Sequence, residues 1–129
     1  MSRHSTTAQR ALEISTEAAG VGFDWKTPED VLDKLDEELA EIRQALNEGA
    51  ERQHIEEEVG DLYFALVNFN RKMQIDSDSA FLSGVMKFER RYRALEALVQ
   101  KSGRQMQDLS PDELEDVWKR VKLGENNGR

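Results

Sequence analysis

The sequence contains no cysteine, only two prolines and no long run of apolar residues. Without cysteine there is no disulfide, no thiolate metal site and no cysteine nucleophile. No apolar run approaches the roughly 20 residues of a membrane-spanning helix, and the N-terminus lacks the charged-then-apolar order of a signal peptide. We therefore expect no membrane partner and predict a cytoplasmic location.

Basic residues are also scarce, with 18 lysines and arginines against 26 acidic residues and a formal net charge of −8. So acidic a chain repels a nucleic-acid polymer, although a single nucleotide remains a plausible ligand if cations offset the charge. Hydrophobic residues make up only 38% of the 129. This predicts a thin core that a second copy completes, in a homodimer or a higher homo-oligomer.

Strand patterns are missing too, because the apolar residues keep helical spacing throughout. The predicted fold is all-α, a bundle of four main helices (6–19, 28–48, 52–73 and one reaching about 101) and a short C-terminal helix (111–123). Thr27-Pro28, Asp78 or Ser79, and Ser110-Pro111 mark helix starts, and Gly49, Gly103 and Gly124 mark helix ends. Residues 1–129 are predicted to form one domain with its core at about 20–122 and flexible termini.

Three of these helices carry long apolar stripes. The stripe positions are Leu35, Leu39, Ile42 and Leu46 on the second helix, Ile55, Val59, Leu62, Leu66, Phe69 and Met73 on the third, and Phe81, Val85, Phe88, Tyr92, Leu95 and Val99 on the fourth. Leucine and phenylalanine at three- and four-residue intervals are typical of the buried face of a helix. The stripes are expected to face the interior of the bundle, but some apolar residues extend beyond what one short bundle can cover and are expected to mark a partner surface, namely Phe69, Met73, Phe81, Val85 and Phe88.

Acidic residues recur at matching places on the second and third helices, twenty residues apart. The matching sets are Asp36, Glu37, Glu38 and Glu41, and then Glu56, Glu57, Glu58 and Asp61. Residues three apart lie on one side of a helix, so Glu38 projects with Glu41, and Glu58 with Asp61. Both pairs lie beside the apolar stripe in the same phase, whereas Asp36 and Glu56 are predicted to turn outward.

Four carboxylates beside a packing seam repel one another, by about 4 kcal/mol for two charges 4 Å apart at an effective dielectric of 20. A divalent cation offsets that cost, and a shell of oxygens without histidine or cysteine suits Mg²⁺ or Mn²⁺. The alternative is a non-catalytic helical dimerisation or adaptor module whose acids form a solvated, salt-bridged surface. The spacing alone leaves both interpretations open.

The run Glu37-Glu38-Leu39-Ala40-Glu41, followed after sixteen residues by Glu58-Val59-Gly60-Asp61, resembles the motif of the MazG-type nucleotide pyrophosphohydrolases. Four further segments resemble the C-terminal catalytic domain of these proteins, namely Val21–Trp25, Lys34–Glu38, Asp61–Asn68 and Lys87–Tyr92. Together the resemblance covers about residues 20 to 122. Tandem MazG proteins carry two such domains and this chain supplies one, as a single-domain relative or as one half of a tandem.

The resemblance implies a dimerising helical bundle that cleaves an NTP or dNTP between the α- and β-phosphates, giving monophosphate and pyrophosphate. It implies that Glu38, Glu41, Glu58 and Asp61 hold Mg²⁺, with Mn²⁺ as a substitute, and that the ions bridge phosphate oxygens and activate the attacking water. Families of this kind use an additional acid to orient that water. Glu37 and Glu57 are both candidates for this catalytic role.

The best place for phosphate charge is a basic segment of the fourth helix. Lys87, Arg90 and Arg91 lie within about one turn of each other, and arginine offers a planar fork that matches phosphate. The competing interpretation is a salt-bridged face toward Glu89 and Glu96. The resemblance favours substrate binding, most of all for Lys87 and Arg91.

Three residues outside that segment are further candidates for substrate contacts. Lys34 lies one turn before Glu38 and either reaches a phosphate or pairs with that acid. Trp25 either stacks on the base or closes the end of the bundle. Asn68 either binds the sugar or base or forms a hydrogen bond within the bundle.

His54 follows Glu51 by three residues, which is the ligand unit of di-iron helical bundles. Such a site needs two of these units, and the only other histidine is His4 near the N-terminus. The di-iron interpretation is therefore excluded.

Overall fold

The computed structural model describes residues 5–127, and this part of the chain contains five α-helices, one turn of 3₁₀-helix and no strand. The helices are α1 (Thr7–Gly20), α2 (Pro28–Asn47), α3 (Arg52–Lys72), α4 (Ser77–Lys101) and α5 (Pro111–Asn127), with the 3₁₀ turn at Met106–Asp108. The predicted all-α class is confirmed. No helix in the described range combines the length and apolarity needed to cross a bilayer.

Most helix ends follow the predicted capping chemistry. The Thr27 hydroxyl accepts a hydrogen bond of 3.1 Å from the backbone N–H of Asp30, and Pro28 opens α2. Gly49 and Gly103 follow α2 and α4 with φ values of 69° and 80°, a left-handed conformation that glycine adopts without strain.

Two predicted helix boundaries are wrong. Helix α4 begins at Ser77, and the Asp76 carboxylate accepts from the backbone N–H of Ser79 at 2.8 Å, so neither Asp78 nor Ser79 is the cap. Helix α5 continues through Gly124 to Asn127, because one glycine inside a helix costs only about 1 kcal/mol and does not end it. The tail from Gly124 onward, predicted to be frayed, is helical as far as Asn127, and the outermost parts of the predicted flexible termini, residues 1–4 and 128–129, lie outside the described residues.

The chain divides into two compact units, the first ending at Ala80 and the second beginning at Phe81. In the first unit, α3 packs against α2 and, less extensively, against α1. The short connection between α2 and α3 makes them an antiparallel hairpin. Ala45 and Ala65 are buried, and such short side chains allow two helices to approach closely.

The buried face of α2 differs from the predicted one. Val31, Glu38 and Ala45, spaced seven residues apart, are 0%, 4% and 3% exposed, whereas Leu39 and Leu46 are 50% and 62% exposed. The predicted stripe of leucines is therefore wrong for these two residues, although Leu35 and Ile42 are partly buried. Val31 and Ala45 line the buried face instead, and Glu38 lies between them.

The second unit has a small apolar core where α4 and α5 meet. Leu95, Val99 and Val121 are buried there, and Trp118 packs against them. The second half of the predicted α4 stripe contributes to this core, whereas Phe81 and Phe88 in the first half are 67% and 58% exposed, as expected of residues that one bundle cannot cover.

Candidate metal centre

The α2–α3 hairpin brings three acids together. One oxygen of each of Glu38, Glu58 and Asp61 lies within 4.8 Å of the other two. Glu38 comes from the middle of α2, and Glu58 and Asp61 come from one face of α3 because they are three residues apart.

Two oxygens of this acidic trio are buried without a hydrogen-bond partner. They are Oε2 of Glu38 and Oε2 of Glu58. Burying a carboxylate oxygen without a partner is costly, and native proteins almost always supply one. A hard divalent cation satisfies such oxygens, and a donor set made only of carboxylates fits Mg²⁺ or Mn²⁺.

Glu41, the fourth predicted metal ligand, lies outside the trio but next to it. Its pKa is raised, first because it shares a hydrogen bond with the Glu58 side chain and further by partial burial and the negative charges of Glu58 and Glu37. Like charges are thus concentrated on this side of the hairpin, as the sequence predicts. The structure brings three of the four predicted ligands within mutual reach and places the fourth against one of them.

Lys34 pairs with the buried acid of its own helix. Its Nζ lies 3.1 Å from Oε1 of Glu38 and 3.7 Å from Oε1 of Glu37. The hydrogen bond to Glu38 is the main reason that the pKa of Lys34 is raised. Of the two alternatives for Lys34, the structure therefore shows the pairing.

The structure also places His54 beside the centre, a position that none of the predicted ligand sets includes. Its Nε2 lies 3.8 Å from Oε1 of Glu58, one turn further along α3. A signal was present in the sequence, since His54 stands twenty residues after Lys34, the same offset that relates Glu58 to Glu38.

The remaining acids of the two helices are exposed. Asp36 and Glu56 turn to solvent as predicted, and Glu56 pairs with Arg52 at 3.2 Å. Glu37 and Glu57, the candidates for orienting the water, are exposed as well.

Trp25 and Asn68 belong to a second polar network in the first unit. Asp24 pairs with Arg71 and with Lys72, whose Nζ also donates to the Trp25 carbonyl at 2.7 Å. Asn68 is 2% exposed, donating to the Phe64 carbonyl at 3.0 Å and accepting from Arg71 at 3.3 Å. Asp24 and its partners are 47 and 48 residues apart, so no local pattern could reveal the network.

The predicted phosphate-binding residues all belong to the second unit. Arg91 is mostly buried and its Nε donates to Glu125 at 2.7 Å, while Nε of Arg90 lies 3.5 Å from the same carboxylate. The hydrogen bond from Arg91 lowers the pKa of Glu125. Lys87 is exposed. The salt-bridge partner of Arg90 and Arg91 is thus Glu125, which was not among the expected acids.

The helical fold and the acidic trio define a class, that of all-α proteins with a carboxylate cluster able to hold a divalent metal between two adjacent helices. Residues 26–95 match the sequence profile of the MazG nucleotide pyrophosphohydrolase domain. The chain belongs to the MazG family.

Named relatives agree with this assignment. A nucleoside triphosphate pyrophosphohydrolase/pyrophosphatase MazG of Thermotoga maritima is 37% identical over 115 residues, which are 89% of this chain and 44% of that protein. A nucleoside triphosphate pyrophosphohydrolase of Escherichia coli K12 is 40% identical over 120 residues, 90% of this chain and 44% of that protein. The chain thus spans less than half the length of these curated relatives.

Proposed function

We propose that this chain is a metal-dependent nucleoside triphosphate pyrophosphohydrolase that cleaves NTP or dNTP between the α- and β-phosphates. The products are a nucleoside monophosphate and pyrophosphate. The observation that carries the proposal is the acidic trio, of which Glu38 and Glu58 each have a buried Oε2 without a hydrogen-bond partner, in a member of this family. The names of the two relatives support the same substrate class.

Glu38, Glu58 and Asp61, joined by Glu41, are the residues proposed to hold Mg²⁺, for which Mn²⁺ can substitute. When bound, the cation neutralises phosphate charge and lowers the pKa of a coordinated water. Glu37 and Glu57 are exposed acids directly beside these residues in the chain, and either can accept a proton from the attacking water.

Substrate contacts are proposed for two groups of residues. Lys34 already pairs with an acid of the centre and has donors left for a phosphate oxygen, while Trp25 and Asn68 are proposed to serve the nucleoside. Lys87, Arg90 and Arg91 are proposed to contribute positive charge. Their contribution is measured as the rise in KM when each is replaced by alanine.

We also propose that the whole chain acts as one catalytic domain and assembles with a second copy. The first half of α4 exposes Phe81, Leu82, Val85, Met86 and Phe88 within eight residues, each at least 45% exposed. Apolar side chains so concentrated on one helix normally mark a partner surface.

The test is product analysis with each common nucleoside triphosphate and Mg²⁺. The proposal expects monophosphate and pyrophosphate in equal amounts and no diphosphate. Orthophosphate released from the γ-position would show that water attacks elsewhere. Absence of any hydrolysis, with Mg²⁺ leaving the melting temperature unchanged, would favour the adaptor interpretation.

A further inference from the structure

The two glutamates of the metal centre have the same unequal surroundings. In each, Oε2 is buried without a partner, whereas Oε1 faces a basic residue one turn earlier on the same helix. Lys34 faces Glu38 at 3.1 Å and His54 faces Glu58 at 3.8 Å. Because both pairs are spaced by four residues and are twenty residues apart, the arrangement occurs once on each helix of the hairpin.

We propose that Lys34 and His54 determine the metal specificity of this centre by leaving Glu38 and Glu58 one free oxygen each. The inference rests on the proposed function, since it concerns the cation of that same site. With a basic side chain beside Oε1, at 3.1 Å in Glu38 and at 3.8 Å in Glu58, each carboxylate presents Oε2 to an ion more freely than Oε1. The residues thereby favour a small cation that binds single oxygens and disfavour one that is chelated by whole carboxylates.

The physical basis is the difference between Mg²⁺ and Ca²⁺. Mg²⁺ takes six single oxygens at about 2.0–2.1 Å, whereas Ca²⁺ takes six to eight at about 2.3–2.6 Å and often binds a carboxylate through both oxygens. An ammonium group beside Oε1 of Glu38 opposes that second bond by charge and by occupying the space. His54 acts in the same sense on Glu58, but less strongly because its contact is longer.

A ratio of affinities separates this role from simple charge effects. Removing a positive charge next to the acids strengthens the binding of every divalent cation, so the affinity for one ion alone tells little. Mg²⁺ and Ca²⁺ carry the same charge, and that contribution cancels in their ratio. A general loss of stability cancels as well, so a merely structural role does not move the ratio.

The experiment is competition for Mn²⁺, with bound Mn²⁺ followed by its electron paramagnetic resonance signal in the absence of nucleotide. Lys34→Met is expected to shift the Ca²⁺-to-Mg²⁺ affinity ratio toward Ca²⁺ by about fivefold or more, and His54→Gln by less in the same direction. Lys34→Arg keeps a donor on Oε1 and should keep the native ratio. The matched control is Arg52→Met, which removes an i,i+4 pair with the outward-facing Glu56.

A ratio within about twofold of the native one in Lys34→Met would overturn the inference, as would an equal shift in Arg52→Met. Circular dichroism checks that each variant is folded. If Lys34→Met is not, His54→Gln at its exposed position decides, and an unchanged ratio in that variant would overturn the inference. If the native protein binds no Mn²⁺, the inference also falls. Product analysis then decides separately whether the chain hydrolyses nucleotides.

Discussion

At the scale of single residues, Glu58 has the most conflicting surroundings in the centre. One of its oxygens is buried without a partner, and its charge raises the pKa of neighbouring Glu41. Such repulsion is tolerated where a cation relieves it. Under the proposed function, Glu58 is therefore expected to destabilise the metal-free protein and to stabilise the metal-bound one.

Glu58→Gln is expected to lower hydrolysis at least about a hundredfold and to abolish the rise in melting temperature that Mg²⁺ produces. The metal-free variant should melt at the native temperature or higher, because a repulsive charge is gone. Glu56→Gln, two residues away and exposed, is the control and should stay within about twofold of native activity. Equal losses in both variants would contradict the assignment of Glu58 as a ligand.

Asp24 offers a second prediction at this scale, based on its two basic partners. Hydrogen bonding to Arg71, then to Lys72, lowers the pKa of Asp24 from 3.8 to about 2 against the opposing effect of burial. A carboxyl group whose pKa is lower in the folded than in the unfolded protein stabilises the fold at every pH above its unfolded-state pKa. This stabilisation is lost as the pH falls toward the folded-state pKa.

Asp24→Asn should reduce the free energy of unfolding at neutral pH by about 1–2 kcal/mol, allowing for partial solvent screening. The difference in the free energy of unfolding between the variant and the native protein should narrow as the pH falls from 3.8 to about 2, where the native carboxylate takes up its proton. Urea unfolding across this range measures it, with the exposed Asp33→Asn as control. A difference that does not depend on pH would mean that charge is not the cause.

At the scale of helices and turns, the sequence predicts which helices exist. It predicts less well which face of each helix points inward. Five helices follow from apolar spacing and from Thr27, Gly49 and Gly103 at their ends, because these signals act within a few residues. The inward face of α2 was misjudged at Leu39 and Leu46. Periodicity gives the spacing of an apolar stripe, but which side chains fit a seam depends on the facing helix.

The turn between α3 and α4 contains Gln74, the only non-glycine residue among those described with a positive φ, at 58°. It follows the last turn of α3, where glycine is the usual residue because a Cβ is disfavoured there. Gln74→Gly is expected to raise the free energy of unfolding by up to about 1 kcal/mol, measured by urea unfolding. Gln74→Val should lower it, and stabilisation by valine would contradict this interpretation.

At the scale of the whole molecule, the exposed half of α4 leads to a prediction about assembly. Light scattering at low micromolar concentration is expected to give at least twice the 14.8 kDa chain mass. Phe81→Glu together with Phe88→Glu should reduce the mass to that of one chain, because forming the apolar interface would then bury two charges without partners. A native monomer with full activity would contradict the proposed assembly.

The site was predictable only as far as the sequence repeats itself. The twenty-residue offset selected Glu38, Glu58 and Asp61, which the structure brings together. The same offset relates Lys34 to His54, but only the structure shows that each contacts the glutamate one turn later. The partners of Asp24 and of Arg91 lie 47 and 34 residues away and had no comparable signal. Contacts between distant parts of a chain depend on packing that no local pattern encodes.

The placement of the acidic trio on one helical hairpin has a consequence for the folding pathway. Glu38 and Glu58 are twenty residues apart, and their helices are joined by a short connection, so the contacts that assemble the centre are local. Low contact order allows such a hairpin to form early. Repulsion between the acids is then already present in the transition state, and a cation that relieves it would accelerate folding and have little effect on the rate of unfolding.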